Sequence, residues 1–301
     1  MISIIMPTYN RFEIAKETIE KIASLSTNIL FELIVVNDGE ELPFVIKQPT
    51  ISIYKNPKKG ASSARNYGAS KAKYDLLFFI DDDMWITAES LAAIDSLTQS
   101  DFFKTNCSLL NWQYPESLIL QMQEQKIGRY LLNANYHTLE GRLQQTVNKN
   151  EPLMQIASIG SGSFVIHKIL FEQVGKYDDA ILFQGEDIDL SNKLNAQKIG
   201  IFLYTRTTCF HNQKDRLDID GFLDRDKRGF ESQFKNMQLN NKTVLVNPIK
   251  KFIFTLLMPF FSLIKLLFKA LPNIKSIDKI TFRLIGTLSS ITYFKALKNA
   301  R

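Results

Sequence analysis

Over its first third the chain alternates short apolar runs with segments of helical spacing. "ISIIMPTYN", from residue 2, reads as a first strand with no basic leader or cleavage site before it. "FEIAKETIEKIASL" (12–25) repeats apolar residues three and four apart and predicts a helix. "FELIVVND" (31–38) predicts a buried strand, "ISIYKN" (51–56) a short one, and "ASSARNYGASKA" (61–72) a small-residue helix. "LLFFID" (76–81) is again strand, five apolar residues being too few for a buried helix, and "AESLAAIDSLT" (88–98) is a helix. This alternation predicts βαβ units around a mostly parallel sheet.

The middle is less regular, and residues 105–160 resist placement. The stretch 116–145 has helical spacing with breaks expected at Gly128 and Gly141. "GSGSFVIHK" (160–168) returns to strand, 185–198 reads as a loop entering a helix, and "IFLYTRTTCFH" (201–211) as a further strand. The tail changes character. Residues 252–264 carry no charge and are bounded by lysines, a run shorter than the eighteen or so residues of a spanning helix. At about 100° per residue, Lys250, Lys251, Thr255, Ser262, Lys265 and Lys269 gather on one side, and Pro259 should kink the helix.

Charge sharpens this division. The formal net charge is +6, yet residues 248–301 hold ten Lys/Arg and one acid, a net of +9, so residues 1–247 carry 6 − 9 = −3. A nucleic-acid-binding domain would want the reverse, and that class is set aside. The expected organisation is a domain at 1–247 and a basic amphipathic helical tail at 248–301, suited to an anionic membrane surface or to docking on protein. Two cysteines without metal-ligand spacing imply no disulfide framework and fit a reducing cytosol.

Polar clusters stand where the strands end: "PTYN" (7–10), "NDG" (37–39) and "DDD" (81–83). In a parallel sheet with helical crossovers, such ends deliver ligand-binding groups to one edge. Three adjacent aspartates repel one another, and a divalent cation from outside the chain is the natural compensation. "KKGASSARNYG" (58–68) adds lysines and a small-residue helix start that can approach phosphate oxygens.

Taken in order, "SIIMPTYNR" (3–11), "LIVVNDG" (33–39), "GASSARNYGASKA" (60–72), "FFIDDDMW" (78–85), "FQGEDIDLSNKL" (183–194) and "FH" (210–211) resemble family 2 glycosyltransferases. The resemblance spans about residues 1–215 and implies the GT-A fold, a Rossmann-like, mixed but mostly parallel sheet flanked by helices. It implies an inverting, metal-dependent transfer of sugar from a nucleotide donor, most simply a UDP-sugar, to a hydroxyl of a glycan or lipid-linked glycan. By that likeness Pro7, Tyr9 and Asp38 hold the nucleoside, Lys59 and Arg65 join the donor-binding set, and Asp81 and Asp82 lie by the ribose. Asp83 and His211 bind Mn²⁺ or Mg²⁺, Asp187 is the general base, and Glu186 contacts acceptor or donor sugar. The family often has two acids before the glycine where this chain has Asn37–Asp38. It also lacks the Q-x-x-R-W of processive members. The implied setting is polysaccharide assembly at the cytoplasmic face of a cell membrane. Two other readings stay open: a nucleotidyltransferase of similar fold, which would release pyrophosphate, and an inactive membrane-binding scaffold.

Overall fold

The computed structural model describes residues 1–143, 146–160, 162–181, 185–239 and 244–299. In chain order the elements are β1 (Ile2–Thr8), α1 (Phe12–Ala23), β2 (Phe31–Asn37), β3 (Ile51–Lys55), α2 (Ala61–Lys71), β4 (Leu76–Ile80), β5 (Met84–Ile86), α3 (Ala88–Thr98), α4 (Phe102–Thr105) and β6 (Asn106–Gln113). Then come α5 (Glu116–Gln123), α6 (Lys126–Asn133), α7 (Leu139–Leu143), β7 (Leu153–Gln155), β8 (Ser163–His167), α8 (Lys168–Gln173), α9 (Glu186–Ala196) and β9 (Gly200–His211). The chain closes with α10 (Ile219–Leu239), α11 (Pro248–Leu257), α12 (Phe261–Ala270) and α13 (Asp278–Asn299). It divides into two compact units: residues 1–114 with 143–212, and residues 115–142 with 213–301.

The first unit is built on a nine-stranded sheet in the order β3-β2-β1-β4-β8-β6-β9-β5, with β7 beside β9. Strands β1, β2, β3, β4, β6 and β9 run one way and β5, β7 and β8 the other, the mixed, mostly parallel α/β sheet expected. All five residues of β4 are buried, as are Ile4, Ile5 and Met6 of β1 and Leu33 to Val36 of β2. Both faces of these strands are covered, which is why their sequences run apolar without alternation. Helix α1 buries Ile14, Ala15, Thr18, Ile19 and Ile22, one face at helical spacing. The order reverses between β1 and β4, so their carboxyl ends open the crevice where ligands bind in such sheets.

The second unit is helical among its described residues. The long helix α13 buries Ile285, Leu288, Ile291 and Phe294, and Phe234 of α10 joins Phe294 and Leu297 in the core. The breaks expected at Gly128 and Gly141 fall elsewhere, since both glycines lie inside helices, α6 and α7. A Cβ on Gly128 would sit 2.2 Å from the Met122 carbonyl oxygen, so this glycine permits a close backbone approach rather than ending a helix. The kink expected at Pro259 is present as a 3₁₀ turn, Met258–Phe260, between α11 and α12.

Candidate active site

The triple aspartate leaves β4 at the switch point and turns into β5. Strand β5 pairs antiparallel with β9 in a register that sets Met84 opposite His211, and the Asn212 N–H donates to the Asp83 carbonyl at 2.7 Å. This pairing carries His211 across the sheet to Asp83, where its Nε2 lies 3.0 Å from Oδ1. The rings of Trp112 and Tyr114 meet the imidazole edge-on at 4.7 and 5.8 Å between centroids and fix its plane. Both Asp83 and His211 are buried.

Each aspartate has a cation of the chain's own beside it. Arg65, from α2, donates to Asp81 at 2.9 Å, while Arg11 spans Asp82 and Asp83, the latter at 2.9 Å. The Thr8 hydroxyl donates to Asp82 at 2.8 Å. Burial pushes the Asp82 carboxyl up to about 7, with Asp83 and Asp81 adding to the rise while Arg11 and Thr8 oppose it. The compensation expected only from an external cation is therefore supplied in large part from within.

Arg65 also reaches the other acidic motif. Its second nitrogen donates to Glu186 at 3.1 Å, and its guanidinium stacks 5.5 Å from the Tyr177 ring centroid. Burial works against the charged guanidinium, but Asp81, Glu186, Tyr177 and Asp187 outweigh it and hold its pKa above the usual arginine value. Glu186 and Asp187 open α9 directly after Gly185, whose φ of +98° makes the turn that few side chains tolerate. Carboxylates in that first turn also suit the helix dipole. Glu186 Oε2 is buried and meets no hydrogen-bond partner among the described residues. Phe183 and Gln184 of the same motif lie outside the described residues.

The remaining candidates form a second group at the ends of β1 and β2. Asp38 accepts from the Asn56 side chain at 2.6 Å and the Gly60 N–H at 3.0 Å, tying the end of β2 to the start of α2. Tyr9 is exposed, with the Lys59 ammonium 6.0 Å from its ring centroid, and Pro7 is half-buried on β1. Arg11, Thr8 and Asn56 were not singled out from the sequence. Arg11 could have been, because it stands at the N-terminus of α1, where a cation opposes the helix dipole unless another partner holds it.

Donor atoms of Asp81, Asp83 and His211 all lie within 4.8 Å of one another. Two carboxylates and an imidazole are a donor set that Mn²⁺ or Mg²⁺ accepts, so these residues fit a divalent cation. Residues 3–96 match the family model described as glycosyl transferase family 2. Over that segment the chain is similar to family 2 glycosyltransferases. Its curated relatives include an uncharacterized glycosyltransferase of Rickettsia bellii, 24% identical over 60% of this chain and 26% of the relative. Another, from Haemophilus influenzae, is 37% identical over 28% of this chain and 29% of the relative. The chain thus spans little more than a quarter of the length of either. The O-antigen biosynthesis protein RfbC of Myxococcus xanthus is 20% identical over 75% of this chain and 18% of its own length. Among solved structures, GalNAc-T7 with UDP, GalNAc and Mn²⁺ superposes with a TM-score of 0.52 at 16% identity, covering 70% of this chain and 43% of that one. The chain shares the GT-A fold with it.

Proposed function

We propose that the chain is an inverting, metal-dependent glycosyltransferase that moves a sugar from a nucleotide donor to a hydroxyl of a glycan or lipid-linked glycan. The observation that carries this reading is the convergence of Asp81, Asp83 and His211, joined through Arg65 to the helix start that holds Glu186 and Asp187. A UDP-sugar is the proposed donor and Mn²⁺ the favoured ion, a choice supported by the UDP and Mn²⁺ present with GalNAc-T7. Tyr9, Pro7 and Asp38 would hold the nucleoside, with Asp82 and Asp81 on the ribose side and Lys59 toward the diphosphate. A cation held by Asp81, Asp83 and His211 would neutralise charge on the leaving diphosphate. Asp187 takes the proton of the acceptor hydroxyl as its oxygen attacks the anomeric carbon, and the nucleoside diphosphate departs with the bonding pair on the opposite face. Arg65 keeps Asp81 and Glu186 in register for that geometry, and Glu186 contacts the sugar.

Polysaccharide assembly is the proposed setting, supported by the O-antigen relative. The basic tail, residues 248–301, is proposed to contact an anionic membrane peripherally, at its cytoplasmic face. Thermal unfolding with UDP, GDP, CDP and dTDP, each with and without Mn²⁺, tests the donor site. A ligand at a hundredfold excess over its dissociation constant adds about 2.7 kcal/mol of stability. A Mn²⁺-dependent shift with UDP and release of UDP on turnover are expected. No shift with any nucleotide would refute the reading, and release of pyrophosphate would replace it with nucleotidyl transfer.

A further inference from the structure

Helices α11 and α12 carry two apolar stripes, only one of which packs against the rest of the second unit. On the inner stripe Phe254 stacks 5.6 Å from Phe294, Met258 packs on the same core, and Phe268 is buried beneath the Lys126 ammonium. On the outer stripe Ile249, Phe252, Leu256, Phe260, Leu263 and Leu267 are 51 to 69% exposed, and steps of three and four residues keep them on one face. Large apolar side chains gathered on one exposed face mark a surface that something covers.

The pair of helices cannot roll to hide that face. Lys265 and Lys269 both pair with the Asp220 carboxylate, at 2.8 and 2.5 Å. Lys126 donates to the carbonyls of Phe268 and Leu271, at 2.7 Å each, where α12 ends. Just beyond, Arg129 grips Asp278 at 2.8 to 3.0 Å and Asn273 at 3.0 Å. Two of the lysines expected to meet lipid are thus committed to the protein.

Charge chooses among the possible covers. Residues 248–277 hold five lysines and no acid, and Lys250, Lys251 and Lys275 are exposed. A second copy would bring two such cationic faces together, whereas anionic headgroups would neutralise them. Pro248–Ala270 is long and apolar enough to cross a bilayer by length and composition alone. Crossing would tear Lys265 and Lys269 from Asp220 and strip Phe268 from its core. We infer, resting on the membrane contact proposed above, that the outer stripe enters one leaflet of an anionic bilayer edge-on, with Lys250, Lys251 and Lys275 at the headgroups and Lys265 and Lys269 held back by Asp220.

The test is co-sedimentation of the full chain with vesicles of phosphatidylglycerol and phosphatidylcholine, against phosphatidylcholine alone. Phe252→Ser with Phe260→Ser should lower partitioning at least about tenfold, since both rings lose their place in the acyl region. Lys250→Ser with Lys251→Ser should weaken binding to the anionic vesicles only, and Lys265→Gln should leave it within about twofold. A Phe252→Trp variant gives a positive readout, its emission shifting blue and being quenched by brominated lipid. Wild-type binding that survives the double serine change would overturn the inserted face while leaving membrane contact standing. No wild-type binding to either vesicle would remove membrane contact itself. Resistance to alkaline carbonate would mean a spanning helix. A concentration-dependent dimer abolished by the serine pair, without vesicle binding, would make the face an interface between copies.

Discussion

Arg65→Met tests the proposed link between the two acidic motifs. The methionine keeps the apolar stem of Arg65 in place and removes the guanidinium that bridges Asp81 and Glu186. The two pairings are unequal. Glu186 has a side chain only 11% exposed, and breaking a buried pair by deleting one partner costs about 3–5 kcal/mol because the remaining charge is left uncompensated. Asp81 is 38% exposed, so solvent screens its loss to about 0–1 kcal/mol. The sum, taken from the low end of the buried-pair range, is about 3–4 kcal/mol, or a fall of roughly 6–16 °C in the melting temperature of a unit this size. Trp85 and Trp112 are the two tryptophans of the chain, and both belong to the first unit, so tryptophan fluorescence follows the transition that matters. Adding Glu186→Gln to Arg65→Met should return about 2 kcal/mol, since the buried carboxylate goes with its partner. A single variant melting within about 2 °C of wild type, or a double variant as unstable as the two single losses summed, would refute the bridge as a structural element.

Three further outcomes are expected. Asp187→Asn should keep nucleotide binding and stop transfer; turnover near the wild-type rate would put the base elsewhere. Gly68→Ala should cost about 1–3 kcal/mol, because its Cβ would come within 2.4 Å of Ile5 Cγ2 and 3.3 Å of Val36 Cγ2; an unchanged melt would show that β1 yields there. In the second unit, burial raises the Asp226 carboxyl pKa against the opposing Ser289 hydroxyl and Arg225. A raised folded pKa means that ionisation is costlier folded than unfolded, so stability is lost as pH climbs from about 4 through the folded value. Asp226→Asn keeps an acceptor for Ser289 and should melt higher than wild type at neutral pH, the gap closing below about pH 4; a gap independent of pH would contradict this.

How far the sequence could be read depended on how each element is buried. Strands β1, β2 and β4 announce themselves because both of their faces are covered. Strand β6, in the stretch that resisted placement, hides behind polar residues that are nonetheless buried, Ser108 and Asn111 among them. Asn111 donates to the Thr205 carbonyl at 2.8 Å beside the register shift between β6 and β9, so its amide serves an irregular backbone rather than solvent. Gly128 and Gly141 misled for a related reason, since a glycine that allows close approach looks in sequence like one that ends a helix. The polar ends of β1, β2 and β4 were legible because strand direction alone delivers them to one edge. The pairing of the three aspartates with Arg11 and Arg65 was not, because it arises only through tertiary contact.

Those partners change what the triple aspartate asks of a metal. Three carboxylates face two guanidiniums, one of which Glu186 shares, and burial already pushes the Asp82 carboxyl up to about 7, so the charge left for an ion to compensate is small. A divalent ion must also share Asp83 with Arg11, so binding it alone exchanges one compensated arrangement for another and gains little. A nucleoside diphosphate arriving with the ion brings the negative charge that Arg11 and the ion together can balance. Ion and nucleotide should therefore bind cooperatively: UDP with Mn²⁺ should shift the melt by more than the sum of the two separate shifts. By linkage, each should tighten the other by the same factor, of order 5–150-fold for couplings of about 1–3 kcal/mol. Additive shifts would mean that Arg11 does not compete for Asp83, and that the ion meets the aspartates already free to receive it.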